Sequence, residues 1–197
     1  AGGVRRENPL YVATLESVVG GQPQWRKVCD MADEVTAFAF RGDELFLQTT
    51  RNAANAKVLK TSLSAPDIAR AATVVPEGQA VIEAIAVARD GLYLREMDGG
   101  YNGLRRLGND GRLQTIKLPF EGSFESMSTD TREDGIWMLG TSWLLPFTVF
   151  RHDPVAAERL LTSIESSGRQ GLGEMRRLLD VLVGIEETAP LSPQPSL

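Results

Sequence analysis

Residues 34–48, Glu34-Val35-Thr36-Ala37-Phe38-Ala39-Phe40-Arg41-Gly42-Asp43-Glu44-Leu45-Phe46-Leu47-Gln48, decide the fold. The runs Glu34–Phe40 and Glu44–Gln48 are rich in β-branched, aromatic and aliphatic residues, as strands favour. Gly42-Asp43 between them signals a tight turn, because a two-residue hairpin needs residues that tolerate positive φ. The arrangement recurs twice. Val81–Ala88 and Leu92–Glu96 flank Asp90-Gly91, and Phe124–Ser128 and Ile136–Gly140 flank Asp134-Gly135. From 42 to 90 and from 90 to 134 the turns lie 48 and 44 residues apart.

A third strand follows each pair, at Lys57–Thr61, Leu104–Leu107 and Thr148–Arg151. Outer strands near Ala72–Val75 and Leu113–Leu118 complete two units. Leu10–Leu15 reads as the third strand of an earlier unit, with Trp25–Cys29 as its outer partner; from Tyr11 to Val58 is again 47 residues. The order is half a unit, two whole units and three strands of another. Four short strands per 44–48 residues is the pattern of a β-propeller blade. The expected fold class is mainly β, an open partial β-propeller of about three blades over residues 1–152. A β-sandwich or barrel also has short strands and turns, but a period that holds in register favours the propeller. A closed propeller needs at least four blades, so the end sheets present faces and edges that neighbours would cover. The chain does not begin with Met and reads as a fragment or a processed product.

At Asp153 the pattern changes. Asp153-Pro154 is a helix start, with Asp as cap and Pro at the first helical position. Leu160, Leu161, Ile164, Leu172, Met175, Leu178, Leu179 and Leu182 then follow at helical spacing. Residues 153–184 are expected to be helical and the Pro/Ser-rich end 185–197 disordered.

The net charge of −5 and the lack of a basic run disfavour nucleic acid and anionic membrane as partners. No apolar stretch reaches the roughly 18 residues of a spanning helix. One cysteine, Cys29, makes neither an internal disulfide nor a multi-cysteine zinc site. It fits a reducing, cytoplasmic compartment, with the periplasm as the alternative. Any Ser-His-Asp or Cys-His site would have to use His152, which reads instead as the end of a strand. There is no G-x-S-x-G elbow, Walker A loop, H-E-x-x-H or EF-hand motif. No catalytic residue, cofactor or metal ligand is therefore assigned. The acidic groups Glu96-Met97-Asp98 and Asp130–Asp134 read as solvated turns. Arg51, Asn52 and Trp143, in loops between second and third strands, are the candidate rim or substrate-facing residues.

Several stretches carry a resemblance. They are Gln24-Trp25-Arg26-Lys27-Val28, Thr49–Val58, Val74-Val75-Pro76-Glu77, Lys117-Leu118-Pro119 with Gly122-Ser123, and Thr141-Ser142-Trp143 with Pro146. In this order, residues 9–153 resemble the propeller domain of prolyl oligopeptidase-type serine peptidases. The resemblance implies a seven-bladed propeller that caps an α/β-hydrolase domain and restricts entry to short peptides. The implied partners are that domain, the remaining blades and a short peptide. The catalytic Ser, Asp and His of the family belong to the hydrolase domain, which nothing here matches, so this chain is expected to be inactive alone.

The tail, through Ile164-Glu165-Ser166-Ser167-Gly168-Arg169-Gln170-Gly171-Leu172-Gly173-Glu174-Met175-Arg176-Arg177-Leu178-Leu179, resembles the second dimerisation helix of a sensor histidine kinase. His152-Asp153 stands too close to this run to be the phosphoacceptor pair of that family. The resemblance implies an alternative role as an interaction module that forms a homodimer through the tail. Light scattering of the full chain and of a chain ending before Asp153 checks it: dimerisation predicts a doubled mass for the full chain alone, and equal monomeric masses remove the idea.

Overall fold

A computed structural model describes residues 6–120 and 122–154. Beyond residue 154 the segments read as a helical tail and a disordered end lie outside the described residues. Four antiparallel sheets succeed one another along the chain. The first pairs β1 (Leu10–Val12) with β2 (Arg26–Cys29). The second runs β3 (Val35–Arg41), β4 (Glu44–Thr49), β5 (Lys57–Ser62) and β6 (Ala72–Val75) in order. The third repeats that order with β7 (Val81–Ala88), β8 (Gly91–Asp98), β9 (Tyr101–Gly108) and β10 (Leu113–Ile116). The fourth has β11 (Ser123–Ser128), β12 (Ile136–Ser142) and β13 (Leu145–His152). This is the half unit, two whole units and three strands that the repeat implies, in a propeller-like stack.

Each junction between sheets is a separate apolar core. Val28, Cys29, Val35, Leu45 and Leu47 fill the first seam. Phe46, Val58 and Val75 meet Ile82, Ile85, Val87, Leu92 and Leu94 in the second. Tyr93 and Leu104 meet Phe124, Ile136 and Met138 in the third. Strand residues alternate between the two faces of a sheet. In β4, Leu45 and Leu47 therefore point to the first seam and Phe46 to the second. A sheet covered on both faces has no polar side, which is why Leu45–Thr49 and Gly91–Leu94 are buried without a break.

Polar links repeat with the apolar ones. The inner strands β3, β7 and β11 each carry a register shift after their first buried residue, at Val35, Ile82 and Phe124. That residue is tied to the preceding sheet. Gln48 Nε2 donates to the Ile82 carbonyl (2.9 Å), and Arg95 Nη1 donates to the Phe124 carbonyl (3.0 Å). On the amide side, Ile82 N–H donates to the Asn55 carbonyl (2.9 Å) and Phe124 N–H to Asn102 Oδ1 (2.9 Å). Asn8 N–H reaches the Val35 carbonyl at 3.2 Å. The three asparagines, 8, 55 and 102, are spaced by 47 residues.

Four expectations need correction. The strand expected over Leu10–Leu15 stops at Val12; Thr14 caps a short helix, α1 (Leu15–Val19), by accepting from Ser17 N–H. The second hairpin turns on Arg89-Asp90, with Ala88 opposite Gly91. Asp134-Gly135 ends a longer connection over 129–135 rather than a two-residue turn. The glycine signal at 91 and 135 has another cause: a Cβ on Gly91 would collide with the Leu107 carbonyl, and one on Gly135 with that of His152. Of these three glycines, Gly42 (φ 57°) alone serves the turn itself. Lastly, Glu96-Met97-Asp98 is not a turn but the end of β8, where the Glu96 carboxylate is buried and paired with Arg105.

Two substitutions test this architecture by urea unfolding. Gly91→Ala is expected to cost about 2–4 kcal/mol, since backbone must move to admit the methyl. Asn102→Ala is expected to cost about 1–3 kcal/mol, because the buried Phe124 amide loses its acceptor. Losses below about 0.5 kcal/mol at both sites would contradict the described seams.

Candidate functional site

The candidate rim residues sit where loops join second to third strands. After β4 the chain turns at Thr50–Ala56, and Asn52 takes a left-handed conformation (φ 53°), which asparagine tolerates better than most residues. Arg51 N–H donates to Thr49 Oγ1 (3.0 Å), and its guanidinium pairs with Asp33 Oδ1 at 2.8 Å. The Arg51 side chain stays 56% exposed, so it can still meet a ligand. Trp143 occupies the β12–β13 turn and is fully exposed. Beside it, Leu144 N–H donates to Ser142 Oγ (3.3 Å).

Among the described residues, Arg51 and Asn52 line neither of the two cavities beside Trp143. Trp143 and Tyr101 instead line one groove of about 390 Å³, together with Gly99, Gly100 and Gly122. Sequence reasoning missed Tyr101, which opens β9 directly after the loop equivalent to those of Arg51 and Trp143. A second cavity, about 700 Å³, is an apolar trough lined by Leu10, Tyr11, Leu15, Phe38, Phe40 and Leu63. It lies where the two-stranded first sheet leaves Phe38 and Phe40 of β3 more than half exposed. At the other end of the stack, Trp137 and Val149 are 47% and 63% exposed. The matching residues in earlier sheets, Phe46 with Val58 and Tyr93 with Leu104, are at most 4% exposed.

The chain's nucleophile and base candidates are kept apart. Cys29 is buried in the first seam, its Sγ–H directed at the Asn8 carbonyl (3.7 Å), and burial pushes its pKa up. A thiol so held is a poor nucleophile. His152 ends β13, as expected, and packs edge-on against Tyr93 with ring centres 6.3 Å apart. Its charged neighbours are Arg106, Asp90 and Asp153. The acidic stretch 130–134 is held by arginines. Arg132 donates to Asp130 through Nη2 (2.7 Å) and holds that carboxyl at about 2, well below its ordinary range. Arg89 grips Asp134 with two bonds of 2.8 and 2.7 Å and lowers it likewise. Among the described residues no group of three or more His, Cys, Asp or Glu could hold a metal ion.

The family model for the prolyl oligopeptidase N-terminal β-propeller domain matches residues 2–164. The chain belongs to that family. A solved prolyl endopeptidase, one of two analysed for the role of inter-domain dynamics in catalysis and specificity, aligns with 80% of this chain at 23% identity and a TM-score of 0.68. Apo prolyl oligopeptidase B from Galerina marginata aligns with 77% at 21% identity and a TM-score of 0.64. Likeness at this level of identity is likeness of fold. The chain spans 23% and 22% of those two proteins. No curated protein matches it. The resemblance of the tail to a sensor histidine kinase helix is not supported: the family match runs past Asp153 to residue 164.

In this prolyl oligopeptidase-type propeller the Arg51 and Trp143 side chains are largely exposed. Arg51→Ala is expected to lower unfolding stability by no more than about 1 kcal/mol, the usual range for an ion pair with one exposed partner, and Trp143→Ala by about 0.5 kcal/mol or less. Thermal unfolding of both variants checks this, and a loss above about 2 kcal/mol at either would show that the side chain is a structural support.

Proposed function

We propose that this chain is the non-catalytic, substrate-gating part of a prolyl oligopeptidase-like serine peptidase that acts on short peptides. One observation supports the reading above the others: the family match over residues 2–164 falls on a chain whose sheets stack as propeller blades. In this reading an α/β-hydrolase domain carries the nucleophile, base and acid. Further blades cover the apolar trough at Phe38 and Phe40 and the face bearing Trp137 and Val149. The rim residues Arg51, Asn52 and Trp143 face the peptide. Trp143 offers a flat apolar surface to a proline ring or an aromatic side chain, and Arg51 a cation to a peptide carboxylate.

Two measurements test this. The isolated chain, given a proline-containing chromogenic peptide, is expected to show no turnover; hydrolysis that a serine-directed inhibitor abolishes would overturn the non-catalytic assignment. In the whole peptidase, Trp143→Ala is expected to change kcat/KM for longer peptides relative to short ones. An unchanged ratio for Trp143→Ala, Arg51→Ala and Asn52→Ala alike would remove these residues from the gate.

A further inference from the structure

The three seams differ in one respect. The chain has a single histidine, the only side chain type whose ordinary pKa lies between about 5 and 8, and it sits at the third seam. At that seam the Asp90 carboxylate is a hub. Its Oδ2 accepts from Tyr93 Oη–H (2.7 Å) and Arg106 Nη1 (2.6 Å), and its Oδ1 from the Gly135 amide (3.0 Å). Tyr93 and Arg106 belong to the third sheet, and Gly135 leads into β12 of the fourth. The carboxylate therefore bolts one sheet to the next. His152 packs on the same bolt. Its ring stands edge-on to Tyr93, its backbone pairs with Ile136, and its carbonyl abuts Gly135.

We propose that His152 makes the seam between the third and fourth sheets an acid-sensitive latch, closed while the imidazole is neutral and loosened when it takes a proton. The facing groups set the sign. From β8 comes the Tyr93 phenol, which burial and the Asp90 bond hold protonated. From β9 comes the Arg106 guanidinium, a like charge to imidazolium. Asp90 and Asp153 oppose it, yet Asp90 is already occupied by three donors. From β12 the opposite residue is Ile136, which solvates no charge. Half-burial, then Arg106, lower the His152 pKa from its ordinary value near 6.5. The unfolded or locally opened chain thus takes the proton first. Stability that His152 supports is complete above the ordinary pKa and is lost as pH falls through the lowered one. The first two seams hold no histidine and stay closed over the same range.

Amide hydrogen exchange on the whole chain, compared at about pH 7.5 and about pH 5 and corrected for intrinsic rates, tests the latch. Protection at Gly135 and along β11–β12 is expected to fall several-fold relative to β3–β4, and His152→Gln is expected to flatten that difference. Equal loss in both regions, or the same differential loss in His152→Gln, would overturn the proposal. If the variant does not fold, an NMR titration of the His152 ring in the unaltered protein decides: a midpoint below about 6.5 supports the latch, and one at or above it overturns it.

Discussion

Each interior sheet of this protein is buried on both faces, and nearly everything else follows from that constraint. A sheet closed on both sides needs apolar residues on both parities of its second strand, as in Leu45-Phe46-Leu47 and Leu92-Tyr93-Leu94. It also needs its inner strand anchored to the sheet before it. Gln48, Arg95 and the asparagines at 8, 55 and 102 supply those anchors. Where no further sheet follows in the described structure, the same positions stay apolar and stand exposed. Trp137 occupies the place of Phe46 and Tyr93, and Val149 that of Val58 and Leu104. The last described sheet therefore presents an apolar face.

The seams are not chemically equal. The first borders the Thr49 hydroxyl, which donates to the Asp33 carbonyl, and the Asp33–Arg51 pair, while the third joins its apolar core to the network of Asp90, Tyr93, Arg106 and His152. Along one end of the stack, polar groups also step from sheet to sheet. Arg41 donates to the carbonyls of Ala88 and Arg89 (both 2.8 Å), and Arg89 in turn grips Asp134. Removing one member leaves a charge with fewer partners, which is costlier than never having the pair. Such a stack can open at one seam while the others hold, because each sheet contacts only its neighbours.

Much of this fold was legible in the sequence because strand composition and turn residues repeat with a period close to 47. Both complete sheets and their strand order follow from that reading. What the sequence hid were effects of distance along the chain. Gly91 and Gly135 look like turn residues, yet they are required by carbonyls of Leu107 and His152, which local reading cannot place. Glu96 looks like surface charge because its partner, Arg105, lies on the next strand. The helix at Leu15–Val19 was masked by β-branched valines, against which the Thr14 cap, Glu16 in the first turn and Gly20 at the end were weak signals. Of the candidate rim residues, Trp143 was recognisable as an aromatic in a turn. Its companion Tyr101 was not, because only the fold brings the β8–β9 and β12–β13 loops to one groove. The asparagine repeat was in plain view, and its spacing equals that of the units it joins.

The sheets succeed one another along the stack, and their three cores do not merge. Methyl NOE spectroscopy on the chain tests this succession most directly. Cross-peaks are expected to join Val58 and Val75 to Ile85 and Val87, a second set to join Leu104 to Ile136 and Met138, and none to run between the sets. Cross-peaks from Val58 to Met138, as one continuous two-layer sandwich would give, would contradict it.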